Sequence, residues 1–315
     1  TARANLARWR GQAGDPAGAA TALAELLPDR LRVLGSDHPH TLTTRANLAY
    51  SRAQAGDLAG AVTAFAEVLA DRRRVLSPGH PDILAARANL AYWRGRAEGP
   101  SVAVTATAEL LTDLLRVLGP DHPNTLSTRA NLARWRGHAG DPAGAAAAFA
   151  ELLTDLLRVL GPDHPATLTT RDDLARCRGQ AGDPAGAAAA LAELLTDQLR
   201  VLGPDHPETF VTRNNLARWR GHAGDPAGAA AALAELLTDQ LRILGRDNPG
   251  TLTTRANLAD SRGQAGDPAG AATALDELLA DRLRVLGPDH PDILTTRNKL
   301  AHWRQAAGPA DARPT

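Results

Sequence analysis

Three residue types in this sequence could do chemistry: histidines beside acids, a single cysteine, and a regular series of asparagines. The triplet Asp-His-Pro recurs at His38, His122, His164, His206 and His290, and His80 follows Gly79 instead. Histidine with carboxylate is the usual ligand set of zinc and a common proton-transfer pair. Spacing argues against both. The histidines sit on successive copies of one 42-residue unit. Neighbouring helices lie about 8–10 Å apart, whereas zinc ligands must meet within about 2.0–2.3 Å of one point. A ladder does not converge, so no metal is expected. Cys177 stands where other copies carry Trp9, Trp93, Trp135, Trp219 and Trp303, or Ser51 and Ser261. No cysteine-nucleophile signature surrounds it, and a buried, inert thiol is expected. Lys299 is the only lysine and follows no Gly-rich loop, so there is no P-loop. No G-x-S-x-G, H-E-x-x-H or dinucleotide fingerprint occurs. The chain is expected to have no catalytic residues and no cofactor, and not to be an enzyme.

The asparagines are Asn5, Asn47, Asn89, Asn131, Asn215 and Asn257, with Asp173 and Lys299 interrupting the series. An amide side chain offers a donor and an acceptor, and can pair with a peptide backbone whatever its sequence. It can equally bond a neighbouring helix and fix the stack. One turn further along lie Arg8, Tyr50, Tyr92, Arg134, Arg176, Arg218, Asp260 and His302. A neighbouring position runs Gln12, Gln54, Arg96, His138, Gln180, His222 and Gln264. Variation within a copied unit is what selectivity needs, and also what drift on a solvated surface leaves. The stretch Arg134, Arg176, Arg218 is basic, and Arg forks onto carboxylates well. A bound peptide should therefore carry acidic residues or a free carboxylate.

The elements that hold these residues follow from the repeat. Arg-x-x-Leu-Ala begins at Arg3, Arg45, Arg87, Arg129, Arg171, Arg213, Arg255 and Arg297, always 42 residues apart. Within 124–165, Leu126, Leu132, Ala133 and Trp135 give a first helix its apolar contacts, and Gly140 ends it. Asp141 caps a second helix with Pro142 at its first position. Ala145, Phe149, Leu152, Leu153, Leu156 and Leu160 form that helix's apolar face, and Gly161-Pro162 stops it. One pair cannot bury both its faces, but stacked pairs share a continuous core. The expectation is a single array over 1–307, seven pairs plus a final helix, about fifteen helices, with a disordered tail at 308–315. Pro28 falls inside a second helix and should kink it. Glu98-Gly99-Pro100 replaces Gly-Asp-Pro in the third repeat, so that turn should lose its cap and loosen. Arg129 and Arg136 should pair with Glu151 and Asp155 between helices in a structural lattice.

Asn131-Leu132-Ala133, Gly140-Asp141, the small Ala145 with Phe149 four residues later, and Leu160 to Pro165 together resemble the tetratricopeptide repeat (TPR). The resemblance is to the 42-residue form seen in kinesin light chains and bacterial signalling proteins. It implies an all-α solenoid, a right-handed superhelix of antiparallel helix pairs whose first helices line the concave face. It further implies that Asn47, Asn89, Asn131, Asn215 and Asn257 bond the backbone of a bound extended peptide. Tyr50, Tyr92, Arg134, Arg176 and Arg218 would then select it. The common 34-residue form has aromatics where this chain has Arg129 and Arg136, so helix packing should differ in detail.

Composition narrows the function further. The formal net charge is +0, from 35 basic and 35 acidic residues, which argues against nucleic-acid binding driven by phosphate neutralisation. No apolar run of about 18 residues occurs, so no membrane span is expected. A lone cysteine and no visible signal peptide fit a reducing, cytoplasmic setting. Arg, Ala and Gly in place of Lys suggest a high-GC bacterial genome. The chain lacks Met and starts within a repeat, and it reads as a piece of a longer protein. The expected role is a protein-interaction scaffold that binds a peptide or protein segment, as the sensor region of a larger signalling protein. The alternative is an architectural spacer, or an array that self-associates end to end.

Overall fold

The computed structural model describes residues 2–288 and 290–308. Among them the regular elements are fifteen helices and no strand: α1 (Ala2–Gln12), α2 (Pro16–Leu34), α3 (Pro39–Gln54), α4 (Leu58–Val75), α5 (Pro81–Glu98), α6 (Pro100–Leu118), α7 (Pro123–His138), α8 (Pro142–Val159), α9 (Pro165–Gln180), α10 (Pro184–Val201), α11 (Pro207–His222), α12 (Pro226–Ile243), α13 (Pro249–Gln264), α14 (Pro268–Leu286) and α15 (Pro291–Ala307). Odd helices are the first helices of the repeats and even ones the second. The expected tail lies outside the described residues from 309 onward. The chain forms two compact units, Thr1–Asp155 and Leu156–Thr315.

Local chemistry sets the boundaries. The first helices open on a histidine cap: Nδ1 of His122 accepts from the Asn124 N–H at 3.1 Å, and His38, His80, His164, His206 and His290 do the same two residues on. Asn248 fills the position in α13 through its Oδ1, 2.8 Å from the Gly250 N–H. The histidines are thus spent on backbone donors that a helix start leaves unpaired. Gly140, at φ 92°, makes the turn into α8, and Asp141 caps that helix by accepting from the Gly144 N–H at 2.8 Å.

Of the two expected irregularities, Pro28 lies inside a continuous helix and the turn at Gly99 takes a different form. α2 runs unbroken through Pro28; the ring removes one hydrogen bond without ending the helix. At Glu98-Gly99-Pro100 the side-chain cap is indeed missing, but the turn shortens instead of loosening. α5 extends to Glu98, and Gly99, at φ 112°, is the one residue between α5 and α6. Its last turn is braced by Arg94 and Glu98, 2.9 Å apart.

Most core clusters join one pair to the next first helix. In the first unit, Ala49, Ala53, Ala61 and Phe65 of α3 and α4 pack with Trp93 of α5. In the second, Leu168, Ala175, Ala187, Leu191 and Leu194 pack with Trp219 of α11. A pair alone would leave that surface wet, so the stack is the folding unit. On α8, Ala145, Phe149, Leu152 and Leu156 are buried and Leu153 half-buried, as is Leu160 just past its end. The tryptophans need small residues beneath them. A Cβ added at Gly179 would lie 2.7 Å from the Trp219 ring, one at Gly263 2.7 Å from Trp303, and one at Gly95 2.8 Å from Trp135. On α15 the equivalent residue is Gln305.

The ionic lattice is regular on one rung and irregular on the other, where pairs such as Arg45 with Glu67 and Arg220 with Asp225 do not recur in register. Arg129 meets Asp155 at 2.7 Å. Arg171 with Asp197 and Arg213 with Asp239 repeat the distance. The chain of charges continues: Arg200 reaches Asp197 at 3.4 Å and Asp163 at 2.6 Å. Arg45, Asp71, Arg74 and Asp37 form the same quartet, as do Arg255, Asp281, Arg284 and Asp247. The neighbouring guanidiniums of Arg171 and Arg200 hold Asp197 and Asp163 below the usual carboxylate range. Arg136 and Glu151 take no part; neither has an ion partner among the described residues.

Candidate functional site

The residues singled out in the sequence lie on the first helices, one turn apart, because positions i and i+3 share a helix face. In the first unit Asn47, Asn89 and Asn131 are exposed, as are Tyr50 and Tyr92, at 49% and 42%. Asn47 and Asn89 make no side-chain hydrogen bond among the described residues. Asn131 accepts from Arg134 at 3.1 Å. A cavity of about 390 Å³ opens between α5 and α7, lined by Tyr92, Arg96, Asn131, Arg134, Trp135 and His138. Its walls are two guanidiniums, three aromatic or imidazole rings and an amide, with no carboxylate among them. Tyr92 stands edge-on to Trp93 at 5.0 Å and tilts against Trp135 at 5.9 Å, so its ring is held in place.

The second unit uses the same positions differently. Asn215 donates to Asp172, and Asn257 donates to Asn214 at 2.7 Å. Asn214 in turn donates to Thr254 Oγ1 at 2.8 Å. These two rungs therefore fix one repeat to the next, and the asparagine series is not one uniform ladder. Arg176 pairs with the buried Asp173 on its own helix. Arg218 lies over the Trp219 ring at 4.9 Å, its Nε buried without a hydrogen-bond partner. Burial, and then the nearby Arg176, pull the Arg218 guanidinium below its ordinary range. Asp260 is taken up by Lys299 and by Trp303 Nε1, the latter at 3.0 Å. The side chains of Arg8 and Gln12 lie outside the described residues.

Sequence reasoning missed Asp172 and Asn214. Both replace an alanine (Ala46, Ala88, Ala130, Ala256 in other copies), and that departure was the available signal. Cys177 is buried at 3%, as expected of an inert thiol. Among the described residues no three His, Cys, Asp or Glu side chains gather to hold a metal ion, and no helix is long and apolar enough to cross a membrane.

Helix pairs repeated in register, each sharing core with its neighbours within a unit, define an all-α solenoid. The tetratricopeptide repeat family matches residues 1–40, 41–82, 125–166, 167–208, 209–250 and 251–292, and the chain belongs to it. The unmatched copy, 83–124, is the one with the shortened turn. No curated protein sequence matches the chain. Among solved structures, a Podosopora anserina protein assigned to the kinesin light chains, with nearly identical TPR-like repeats, is 24% identical. It covers 64% of this chain and 95% of its own, with a TM-score of 0.57. BtubC (BKLC) from P. vanneervenii is 17% identical, covering 72% and 91%, with a TM-score of 0.60. A STAND signal-transduction ATPase with a tetratricopeptide repeat sensor, from Pyrococcus horikoshii, is 12% identical. It covers 96% of this chain and 44% of its own, with a TM-score of 0.61. TPR folds of this kind are generally non-catalytic protein-interaction scaffolds.

Proposed function

We propose that the chain binds an extended, acidic peptide or protein segment across the first helices of its first unit, as a non-catalytic scaffold. The observation that carries this reading is the cavity formed by Tyr92, Arg96, Asn131, Arg134, Trp135 and His138. Two guanidiniums favour carboxylates. The rings offer apolar area that loses little entropy on binding. Asn47, Asn89 and Asn131 supply peptide-backbone partners along the same face. In the second unit Arg218, half-buried with no acid bonded to it among the described residues, is a further carboxylate anchor beside Arg176. A role as the sensor region of a larger bacterial signalling protein is supported by the likeness to the STAND protein's fold. Titration of labelled acidic and basic peptides of equal length tests the reading. The acidic peptide should bind at least tenfold tighter, and Arg96→Glu with Arg134→Glu should remove that preference. Equal affinity for both peptides would sink it.

A second reading is end-to-end self-association. Leu6 and Trp9 on α1 are 49% and 60% exposed, whereas Trp93, Trp219 and Trp303 are buried. Gln305 opposes stacking in repeat register, because it occupies the place where other repeats set Ala53 or a glycine beneath a tryptophan. Light scattering against concentration distinguishes the two: a mass that stays monomeric to high concentration removes self-association.

A further inference from the structure

In the third repeat a substitution breaks the ionic quartet. In the second, fifth, sixth and seventh repeats two arginines and two aspartates alternate, and the quartet is neutral. In the third, Arg87, Asp113 and Arg116 keep their places, but the loop acid that would close the quartet is Gly79. Asp113 is then the sole carboxylate for two guanidiniums, and Arg87, then Arg116, hold it below the usual range. Arg116 reaches it only at 3.3 Å and is 70% exposed. A second departure falls beside the first. Arg73 stands where the other second helices carry Leu31, Leu115, Leu157, Leu199, Leu241 and Leu283. Arg73 has no hydrogen bond or ion pair among the described residues.

Arg73 and the trio left without its loop acid share one pocket. Arg73, Arg87 and Arg116, with Asp113, Pro78 and Ile83, line a cavity of about 370 Å³ between the end of α4, the 77–80 loop, α5 and α6. Three guanidiniums face one carboxylate, an excess that a doubly charged anion matches. We propose that this pocket is a binding site for a phosphate monoester. Such a group carries about −1.5 to −2 charge at pH 7 and three acceptor oxygens, which suits the forked donors of Arg73 and Arg116. Pro78 and Ile83 give an apolar wall for the carbon that bears the ester. None of these residues lines the Tyr92–Arg134 cavity, so the site stands independently of the peptide reading.

The chain itself supplies test variants that threaten the fold little. Gly79→Asp restores the acid of the other repeats, and a Cβ there would meet only Val117, at an ordinary 3.5 Å. Arg73→Leu restores their leucine. Calorimetric titration would use inorganic phosphate, a phosphoserine peptide and the same peptide with serine. The phosphoserine peptide should bind at least tenfold tighter than its serine twin, and each variant should lose that gain at unchanged melting temperature. Binding of inorganic phosphate with no gain from the peptide would assign the site to a free phosphate. Absence of binding by both phosphate probes, or wild-type affinity in Gly79→Asp, would overturn the proposal.

Discussion

Asn215 donates its Nδ2 to both carboxylate oxygens of Asp172, 43 residues earlier, at 3.1 and 3.2 Å. One repeat later the same bond runs from Asn257 to the neutral Asn214, at 2.7 Å. Burial raises the Asp172 carboxyl above its ordinary range, against the Asn215 hydrogen bond that favours ionisation; Asp173 adds to the rise. The fold therefore holds the proton of Asp172 more tightly than the unfolded chain does. Its effect on stability is best at acid pH, and is lost as pH rises above the ordinary carboxylate range. Asp172→Asn keeps an acceptor for Asn215 and removes the charge. Its melting temperature should equal or exceed wild type at pH 7, with the gap closing towards pH 3. Scanning calorimetry at the two pH values decides; a lower melting temperature at pH 7 would mean the charge itself is stabilising.

Asp281 has the opposite sign. Burial opposes its ionisation, but the guanidiniums of Arg255 and Arg246 outweigh it and hold the carboxyl at about 2. A depressed folded pKa stabilises above the unfolded value of about 4 and loses that effect as pH falls towards 2. The contribution is on the order of 2–3 kcal/mol at most. Asp281→Asn should lose stability at pH 7 and approach wild type near pH 2, in urea unfolding followed by circular dichroism.

Identical substitutions at equivalent glycines should differ in sign. At Gly221 an added Cβ meets Ala229 at 3.4 Å and Gln264 at 3.8 Å, and the following repeat carries Ser261 there, not a tryptophan. Gly221→Ala should stabilise by about 0.5–1 kcal/mol, through reduced backbone entropy of the unfolded chain. At Gly179 the Trp219 ring is in the way, and Gly179→Ala should cost about 1–3 kcal/mol. Chemical denaturation of the two variants side by side is the measurement.

The histidine caps can be checked by exchange with the cap the chain itself uses in α13. His122→Asn should hold thermal stability near wild type, whereas His122→Ala should cost about 0.5–2 kcal/mol. Equal losses would show that the ring's packing matters more than its acceptor.

How much of this was legible in the sequence depends on the range of the interaction. The helix pairs, Asp141 and Gly140 as turn residues, and the buried face of α8 follow from local propensity and a period of three to four residues. Arg129 with Asp155 was legible because both recur in register. The departure of Arg136 from the lattice was not, since a periodic charge looks the same whether or not a partner lies within reach. The capping role of the histidines was not legible, because a cap through Nδ1 depends on backbone direction. Asn215 and Asn257 could not be told from Asn47 and Asn89 by their own identity. The difference lies in Asp172 and Asn214 on the preceding repeat's first helix, whose partners depend on how two repeats are staggered.

The glycines beneath the tryptophans bear on how such a gene can change. Gly95, Gly179 and Gly263 accept an indole from the next repeat, while Gly221 is followed by serine. A joint built on glycine takes either neighbour, so unequal crossing-over that drops or duplicates whole units brings together surfaces that already match. Gln305 on α15 withholds that freedom. Recombination can lengthen or shorten the array ahead of α15, but a copy added behind it meets a side chain where its indole should lie.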